Sequence, residues 1–407
     1  MVTFIKIAWR NIVRNKKRSL ITISAVGFGL GALIFIWSFV EGAHVQMTEN
    51  YTSLVTGHIQ IHQKGFLQQA KLETNMAGYP ALLAKIRNMP SVVAVAPRIK
   101  AVGLISSTEA SAGVEVIGVD PTEEKKLSRL AARIKTGQFL GETTDQDIVI
   151  GAALAKNLNV VLGDKIVVMS QALDGSIASG AYRVCGLMDT GAEEIDKGVV
   201  LITHAAAENL FAMAGRTSEL AVRIKNVKDA KPAALQISEQ LPSSFEVLPW
   251  QTVSPVLQQW IEFDEGFIWI IVFVVMIVVA IGILNTVLMG VLERTREFGI
   301  LLGLGTQRGQ IISMIAWESL FLGLIGCLAG LILGLTLSLY FHHAGIDLTV
   351  FTAALNTFYM DALIFPRVNF SQVVFSLFLV LSTSIIVSIY PAWLAARLKP
   401  IDAIRSL

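Results

Sequence analysis

Two histidines on one predicted strand are the first residues here whose type and spacing could support chemistry. His58 and His62 lie in Gly-His-Ile-Gln-Ile-His, whose alternation of apolar and polar residues predicts a β-strand. Side chains an even number of residues apart share a strand face, so the pair could hold a metal ion. We favour a pair of solvated polar side chains, because the sequence has neither His-Glu-x-x-His nor the cysteine–histidine spacing of zinc sites.

Motifs for nucleophilic catalysis and nucleotide binding are also missing. The sequence contains no Gly-x-Ser-x-Gly turn and no Gly-x-x-x-x-Gly-Lys-[Ser/Thr] phosphate-binding loop. We therefore expect that the chain is not an enzyme, has no catalytic residues or metal site and binds no cofactor itself. If ATP drives the protein, ATP and Mg²⁺ would bind to a partner polypeptide. The net charge of +2 gives no support to a nucleic-acid partner.

Glu318 is the only charged residue within the long apolar segments of the chain. A carboxylate inside a membrane span costs about 3 kcal/mol on insertion scales, so it should face protein or the membrane interface. A proton relay would need polar neighbours, for which Asn285 and Thr286 are the only nearby candidates. We favour a structural anchor over proton chemistry.

Four apolar segments are each long enough to cross a bilayer, which takes about 20 residues. They are predicted at residues 20–40, 266–292, 311–341 and 373–396. Basic residues precede the first segment, and no acidic residue occurs before Glu41, so the N-terminus should be cytoplasmic. The loop 293–310 and the tail 397–407 would then also be cytoplasmic. Residues 41–265 and the loop 342–372 would lie outside.

Helical periodicity is visible at two further places. Apolar residues recur at helical spacing near the start, which predicts a cytoplasmic amphipathic helix within residues 1–19 on the inner membrane face; these residues are Phe4, Ile5, Ala8, Trp9, Ile12 and Val13. In the third apolar segment, Gly326, Gly330 and Gly334 repeat at every fourth residue. Small residues at that spacing let helices approach closely, and we favour helix packing over a pore-lining role.

The external residues 41–265 predict a mixed α+β domain. Two segments each show a strand, a helix, a proline and a second strand, with Pro90 and Pro242 at matching places and Asp229 predicted to cap the second helix. The alternative is coincidence, since this order is common. The strand-rich residues 101–215 separate the two halves, so we interpret them as an insertion into one module.

The most specific local signal is the charged loop after the second apolar segment. Residues 292–305 read Leu-Glu-Arg-Thr-Arg-Glu-Phe-Gly-Ile-Leu-Leu-Gly-Leu-Gly. This pattern predicts a short helix with charges on one side and Phe298, Ile300 and Leu301 on the other. Such a helix suits a groove on a cytoplasmic partner. A solvated loop that follows the positive-inside bias explains the loop equally well.

Three motifs together resemble the FtsX/MacB/Lol family of ABC-transporter permeases. They are Glu-Arg-Thr-Arg-Glu-Phe-Gly-Ile-Leu-Leu-Gly-Leu-Gly, the opening Ala8–Arg14 and the ending Tyr390–Arg405. The layout of one span, a large external domain and three spans is also similar, so the resemblance covers the whole chain. Within the family, Gly57–Phe66 looks most like the lipoprotein-releasing LolC/LolE branch.

The resemblance implies an α-helical membrane protein with four transmembrane helices and a large α+β periplasmic domain. In that domain a porter-like module (41–100 and 216–265) is split by a β-rich, sabre-like insertion (101–215). The loop 293–310 would contain a coupling helix that contacts a separate, LolD-like cytoplasmic ABC ATPase. The coupling residues would be Glu293, Arg294, Arg296, Glu297, Phe298, Gly299, Leu302 and Gly303. MacB carries a fused ATPase that this sequence lacks, which favours a Lol-like arrangement.

The function that the resemblance implies is ATP-driven release of lipoproteins from the bacterial inner membrane by mechanotransmission to the periplasmic domain. The complex would contain a second permease copy or a paralogue, and the cargo could pass to a periplasmic chaperone. Acyl chains would contact Phe28, Phe35, Phe39, Phe267 and Ile271. The alternatives are a MacB-like tripartite efflux permease and an FtsX-like transmembrane signalling permease. A pore or secondary transporter is disfavoured, because no inverted repeat is evident.

Overall fold

The computed structural model describes residues 10–69, 72–141 and 144–398, and the chain divides into two compact units. The helical unit contains the chain up to His44, Ile261–Asp347 and the chain from Leu363 onward. The sheet unit contains Val45–Trp260 and Leu348–Ala362. Of the predicted amphipathic helix, residues 1–9 lie outside the described residues, while 10–14 are helical and Asn15 is not. Most of the predicted tail 397–407 also lies outside them.

The chain alternates long helices with a strand-rich middle. The α-helices with both ends described are α1 (Lys16–Tyr51), α2 (Phe66–Gln69), α3 (Tyr79–Arg87), α4 (Pro121–Leu127), α5 (Ala152–Leu158), α6 (Glu193–Gly198), α7 (His204–Leu210), α8 (Ala230–Glu239), α9 (Trp250–Val253), α10 (Pro255–Glu293), α11 (Thr295–Gly303), α12 (Arg308–Ala344), α13 (Thr352–Thr357) and α14 (Phe370–Ala396). The strands are β1 (Ile59–Gln63), β2 (Met76–Ala77), β3 (Val92–Ser106), β4 (Ser111–Val119), β5 (Ile134–Gly137), β6 (Asp147–Gly151), β7 (Lys165–Gln171), β8 (Ile177–Met188), β9 (Val199–Thr203), β10 (Arg216–Thr217), β11 (Glu219–Ile224), β12 (Phe245–Pro249), β13 (Ile346–Asp347) and β14 (Leu363–Ile364).

Among the described residues, four helices, α1, α10, α12 and α14, are apolar and long enough to cross a membrane, as the sequence predicts. Two of them extend well beyond the apolar segments. Helix α1 continues past residue 40 to Tyr51, and α10 begins at Pro255 rather than at residue 266. Hydropathy marks only the apolar part of a helix. Its polar ends continue until a breaker or cap intervenes, and proline is well tolerated in a first turn.

The two predicted β-α-β halves form one antiparallel sheet. Strands β1 and β3 flank α3, strands β11 and β12 flank α8, and the strand order is β12-β1-β11-β3. Each half is therefore interleaved with the other, as in a split β-α-β arrangement. The predicted cap at Asp229 is wrong. A 3₁₀ turn over Val227–Asp229 precedes α8, and the Asn226 side chain caps that turn instead.

The strand-rich middle closes into a six-stranded barrel. Strand β3 pairs with β4 and β7, and the ring is completed through β9, β6 and β8. The interior is apolar and includes Ile99, Ile105, Val116, Ile150 and Val168. The first half of β3 pairs with β11 and its second half with β4. The predicted boundary at residues 100/101 therefore falls within a continuous strand that both parts share.

Arg98 of β3 is a buried charge where the sheet passes into the barrel. Arg98 is 1% exposed and forms a bidentate pair with Glu124, with Nε–Oε2 at 3.0 Å and Nη2–Oε1 at 2.6 Å. Its Nη1 also lies 3.6 Å from Glu219, which Lys100 reaches at 3.2 Å. Burial alone would raise the pKa of Glu219, but Lys100 and its other neighbours lower it to about 2.

The histidine pair of β1 is buried, so the expectation of solvated side chains is wrong. His62 is fully buried 3.5 Å from Glu219 and packs on Phe66 with ring centroids 4.9 Å apart. The Nδ1 atom of His58 accepts the Ile224 backbone N–H at 3.3 Å. The strand face that looks polar in the sequence is covered in the fold. Glu219 and the Ile224 N–H provide polar contacts to the two buried histidine rings.

We expect the sheet unit to lose stability as the pH falls from about 6.5 to about 4. Burial lowers the pKa of both His58 and His204 from 6.5 to about 4. The folded protein therefore binds fewer protons than the unfolded chain in this window, and acidification favours unfolding. Denaturant titrations of the full chain at pH 7 and pH 5 measure how the free energy of unfolding changes with pH. The double replacement His58→Gln and His204→Gln should make this change smaller, and an unchanged pH dependence would contradict the explanation.

Candidate coupling site

The predicted coupling segment forms helix α11, which is separated from α10 by a single residue. Arg294 interrupts the two helices, and α11 then runs over Thr295–Gly303. It ends in a Schellman motif, in which the Thr306 N–H donates to Leu301 O and the Gly305 N–H donates to Leu302 O, both at 3.1 Å. Gly305 takes a φ of +91°, where a side chain would be strained. A defined end therefore follows the short helix.

One face of α11 packs against the long helices of its own unit. Phe298 is 1% exposed and belongs to the same buried apolar cluster as Ile311 and Ile315 of α12. Gly299 is also buried. Phe298 therefore packs inside the helical unit, and its predicted contact with a partner stays a prediction. Gly299 is covered in the same way.

The opposite face of α11 is exposed. Arg296 and Glu297 of the predicted coupling residues lie there, together with Ile300, and Gly303 and Leu304 follow at its end. Leu304 is 80% exposed, and a methyl group in place of the Gly303 hydrogen would meet no atom within 4 Å. Leu302 is half-buried. A large exposed apolar residue beside charged ones is typical of a protein contact surface.

Arg294 lies at the centre of an ionic network. Its Nε donates to Glu297 Oε2 at 2.8 Å, and its Nη1 donates to Glu318 Oε2 at 3.1 Å. The guanidinium also lies 5.0 Å from the ring centroid of Phe298. Both Arg294 and Glu318 are largely buried, with side chains 10% and 15% exposed. One side chain thus joins α11 to α12 at the junction with α10.

Two arginines near the start of the chain complete this network. Arg14 Nη2 donates to Glu297 Oε1 at 3.0 Å, and Arg18 Nη1 lies 3.8 Å from Glu293 Oε2. Partial burial alone would raise the pKa of Glu297, but hydrogen bonds from Arg294 and Arg14 lower it. Three arginines thus face three glutamates, so the network is electrically balanced. The basic residues were predicted only as a topology signal, and their partners were not foreseen.

The structure gives Glu318 a partner that the sequence did not suggest. It pairs with Arg294, whereas Thr286 donates to the Gly282 carbonyl of its own helix at 2.7 Å and Asn285 is exposed. The predicted neighbours Asn285 and Thr286 are therefore wrong. Distance along α10 explains this, because Thr286 lies about two helical turns before Arg294 and roughly 12 Å from it along the helix axis. The ion pair fits the anchoring role that we favoured for Glu318.

The three glycines of α12 lie against α1. A methyl group at Gly326 would stand 2.6 Å from Val26 Cβ, and one at Gly330 would stand 2.7 Å from the Gly27 carbonyl oxygen. At Gly334 the corresponding distance to Ile34 Cβ is 2.9 Å. These separations are shorter than van der Waals contact, so larger residues would push the two helices apart.

The predicted acyl-chain residues are distributed over different surfaces. Phe28 and Phe267 are exposed, and Phe39 and Ile271 are half-buried. Phe35 of α1 packs on Phe341 of α12, with centroids 5.8 Å apart. The aromatic contact between α1 and α10 is instead made by Trp37 and Trp269, at 6.1 Å and nearly edge to face. Phe375 of α14 adds a second edge contact to Trp269 at 5.7 Å.

Within the residues that the structure describes, no group of three or more histidine, cysteine, aspartate or glutamate side chains could hold a metal ion. The site consists of the helix α11, the ion pairs of Arg294 and an exposed surface.

Two family models match the chain in succession. The model described as MacB-like periplasmic core domain matches residues 19–240, and the model described as FtsX-like permease C-terminal matches residues 269–400. The first covers more than half of the 407 residues. The second contains α11, α12 and α14.

Curated relatives match along nearly the full length. The lipoprotein-releasing system transmembrane protein LolC of Neisseria meningitidis is 22% identical, with 98% of each chain covered. The LolE protein of Haemophilus influenzae is 21% identical, again with 98% of each chain covered. The macrolide export ATP-binding/permease protein MacB of Neisseria gonorrhoeae is 22% identical over 97% of this chain and 59% of that protein. Taken with the family models, these relatives show that the chain belongs to the MacB/FtsX/Lol family of ABC-transporter permeases.

Proposed function

We propose that this chain is the permease subunit of an ATP-driven transporter that extracts lipoproteins from the bacterial inner membrane. The single observation that carries the coupling role is α11, exposed on one face and packed against the long helices through Phe298 on the other. The lipoprotein assignment rests on the LolC and LolE relatives, which this chain matches over 98% of its length.

The proposed partner at α11 is a separate, LolD-like ABC ATPase that holds the ATP and Mg²⁺. Its docking surface would contain Arg296, Ile300, Gly303 and Leu304, which are exposed. Phe298 and Gly299 would act indirectly, since they hold the helix against α12. A second permease copy or a paralogue would complete the complex. Both chain ends and α11 would be cytoplasmic, and the sheet unit would be periplasmic.

Mechanical transmission is the mechanism that these contacts support. Closure of the ATPases would displace α11, and Arg294 would pass that displacement to α12 through Glu318 and to residues near α1 through Glu297 and Arg14. The four-stranded sheet would serve as the porter-like module and the six-stranded barrel as its sabre-like insertion. Lipoprotein would leave the membrane when these parts move, with release to a periplasmic chaperone as the final step.

A MacB-like efflux permease is the second candidate, because the N-terminal family model and the Neisseria gonorrhoeae relative both carry that name. It would use the same α11 contact but work with a periplasmic adaptor and an outer-membrane duct. Mild-detergent affinity purification with mass spectrometry separates the candidates. Co-purified ATPase and triacylated lipoproteins would support lipoprotein release. An adaptor and duct would support efflux, and a cell-wall hydrolase would indicate FtsX-like signalling.

Replacing Ile300 by aspartate should reduce co-purification of the ATPase at least tenfold while leaving the permease folded. Ile300 is 46% exposed, so the new charge disturbs the contact surface and not the packed core. Arg308→Glu is the matched control, because Arg308 is exposed at the start of α12 in the same loop. Equal ATPase recovery with both variants would refute α11 as the docking element.

A further inference from the structure

The predicted outer loop 342–372 is divided between the two units. Residues Leu348–Ala362 belong to the sheet unit, whereas the flanking residues belong to the helical unit. The two ends of the segment are tied together, because β13 pairs with β14 and the Leu348 N–H donates to Ala362 O at 2.8 Å. We call residues 346–364 the clasp. It is a compact loop with closed ends, which is a form that loops with a specific role often take.

Asp361 anchors the clasp to two other parts of the sheet unit. Its Oδ2 accepts from Gln46 Nε2 at 3.1 Å and from Asn50 Nδ2 at 3.2 Å, both on the final turns of α1. Its Oδ1 accepts from Arg133 Nη2 at 3.4 Å, just before β5. One carboxylate therefore joins the end of α1, the barrel side of the unit and the clasp.

Tyr359 strengthens the same attachment. Its ring packs edge-on against Tyr51 with centroids 5.0 Å apart, and its hydroxyl donates to Glu194 Oε2 at 3.2 Å. Its carbonyl oxygen accepts from Asn50 Nδ2 at 2.9 Å. The backbone φ of +56° is unfavourable for a residue with a side chain, so these contacts hold a conformation that would otherwise relax.

The flank of the clasp is held by different contacts within the helical unit. The Arg367 N–H donates to Ser38 O at 2.7 Å, and His342 Nδ1 lies 2.8 Å from Pro366 O. Gly42 of α1 passes so close to Phe365 that a methyl group there would stand 2.2 Å from the Phe365 carbonyl oxygen. At the other end of the clasp, three residues lie between Ala344, where α12 ends, and Leu348 of the sheet unit. Three residues span roughly 10 Å at most when fully extended.

We propose that the clasp is a third mechanical connection, which carries motion of α12 and α14 to the sheet unit, with Asp361 as its positioning residue. The helices α1 and α10 continue directly into the sheet unit and supply the other two connections. A clasp with fixed ends and little slack adds a path from the third and fourth helices. This inference rests on the proposed function only where ATP-driven transport is its readout.

The test compares Asp361→Ala with Asp361→Asn and the control Asp229→Ala in the full permease–ATPase complex in proteoliposomes. Asp229 is exposed and its side chain makes no capping hydrogen bond, so Asp229→Ala controls for the loss of one negative charge. Hydrogen exchange of the amides in residues 50–56 should rise at least tenfold in Asp361→Ala and less in Asp361→Asn. ATP-driven lipoprotein release should fall at least fivefold, while ATP hydrolysis stays within twofold of wild type.

The two readouts separate the possible failures. Unchanged exchange in residues 50–56 would overturn the anchoring role of Asp361. Raised exchange with unchanged release would overturn the transmission role. A wild-type complex that releases no lipoprotein would refute the proposed function. Hydrogen exchange in residues 50–56 would then still test whether Asp361 anchors the clasp. A fall in release in Asp229→Ala as large as in Asp361→Ala would also count against the proposal.

Discussion

Replacing Arg98 by methionine is expected to lower the free energy of unfolding of the sheet unit by about 3–5 kcal/mol, the usual cost of removing one partner from a buried ion pair. Glu124 and Glu219 are 0% and 1% exposed, and each would lose its nearest guanidinium contact. Methionine fills much of the same volume, and Glu219 keeps its contact with Lys100 at 3.2 Å, so the loss reports mainly the buried Glu124 carboxylate and not a cavity. Pulse proteolysis of the full chain in denaturant measures the change.

A second replacement tests the electrostatic explanation. Glu124→Gln in the Arg98→Met background removes the negative charge of Glu124 while keeping the shape of the side chain, so more than half of the lost stability should return. The same Glu124→Gln change alone should destabilise, because Arg98 would lose the negative charge of its bidentate partner in a buried position. A loss below 1 kcal/mol in Arg98→Met would show that the charges are solvated in solution.

Replacing Arg294 by methionine is expected to reduce ATP-driven transport about tenfold and to lower the melting temperature of the complex. The replacement leaves Glu318, which is only 15% exposed, without its partner among apolar helices, and such a charge costs about 3 kcal/mol. It also removes the hydrogen bond that holds Glu297 of α11. Transport in proteoliposomes and thermal unfolding by tryptophan fluorescence measure the two effects.

A double variant separates stability from coupling. Arg294→Met with Glu318→Met removes both charges, so the melting temperature should recover, because an apolar pair often replaces a buried ion pair at little cost. Transport should remain low, since the ionic link from Arg294 to α12 would still be missing. Arg308→Met, an exposed arginine of the same loop, serves as the control for the substitution. Full recovery of transport in the double variant would contradict the transmission role of Arg294.

Local patterns in the sequence predicted a large part of the fold. Uninterrupted apolar runs predicted the four long helices, and alternation predicted the strand that contains His62 and the strand-rich segment over residues 101–215. These elements are specified by neighbouring residues, so periodicity alone detects them. The ends of α1 and α10 were missed because they are polar, and a hydropathy pattern does not register them.

Such local patterns could not predict contacts between residues that are far apart in the sequence. Arg14 and Glu297 are 283 residues apart, and Gln46 and Asp361 are 315 apart, so neither pair has a local signature. The same holds for the buried histidines, since His62 contacts Glu219 and His58 accepts the Ile224 N–H, both from distant parts of the chain. For α11 the amphipathic pattern predicted a helix with two unlike faces. It could not show that the Phe298 face packs inward, because both a partner groove and the chain's own helices accept an apolar ring.

The sharing of β3 between sheet and barrel makes the domain sensitive to strand register. Side chains alternate along a strand, so inserting one residue near Arg98 would exchange inner and outer faces from that point onward. Arg98 pairs with Glu219 of β11 and Lys100 pairs with Ile117 of β4, and both residues lie on the continuous strand β3. Length changes in this domain would therefore be tolerated at the hairpin ends of the barrel, and not where it joins the sheet.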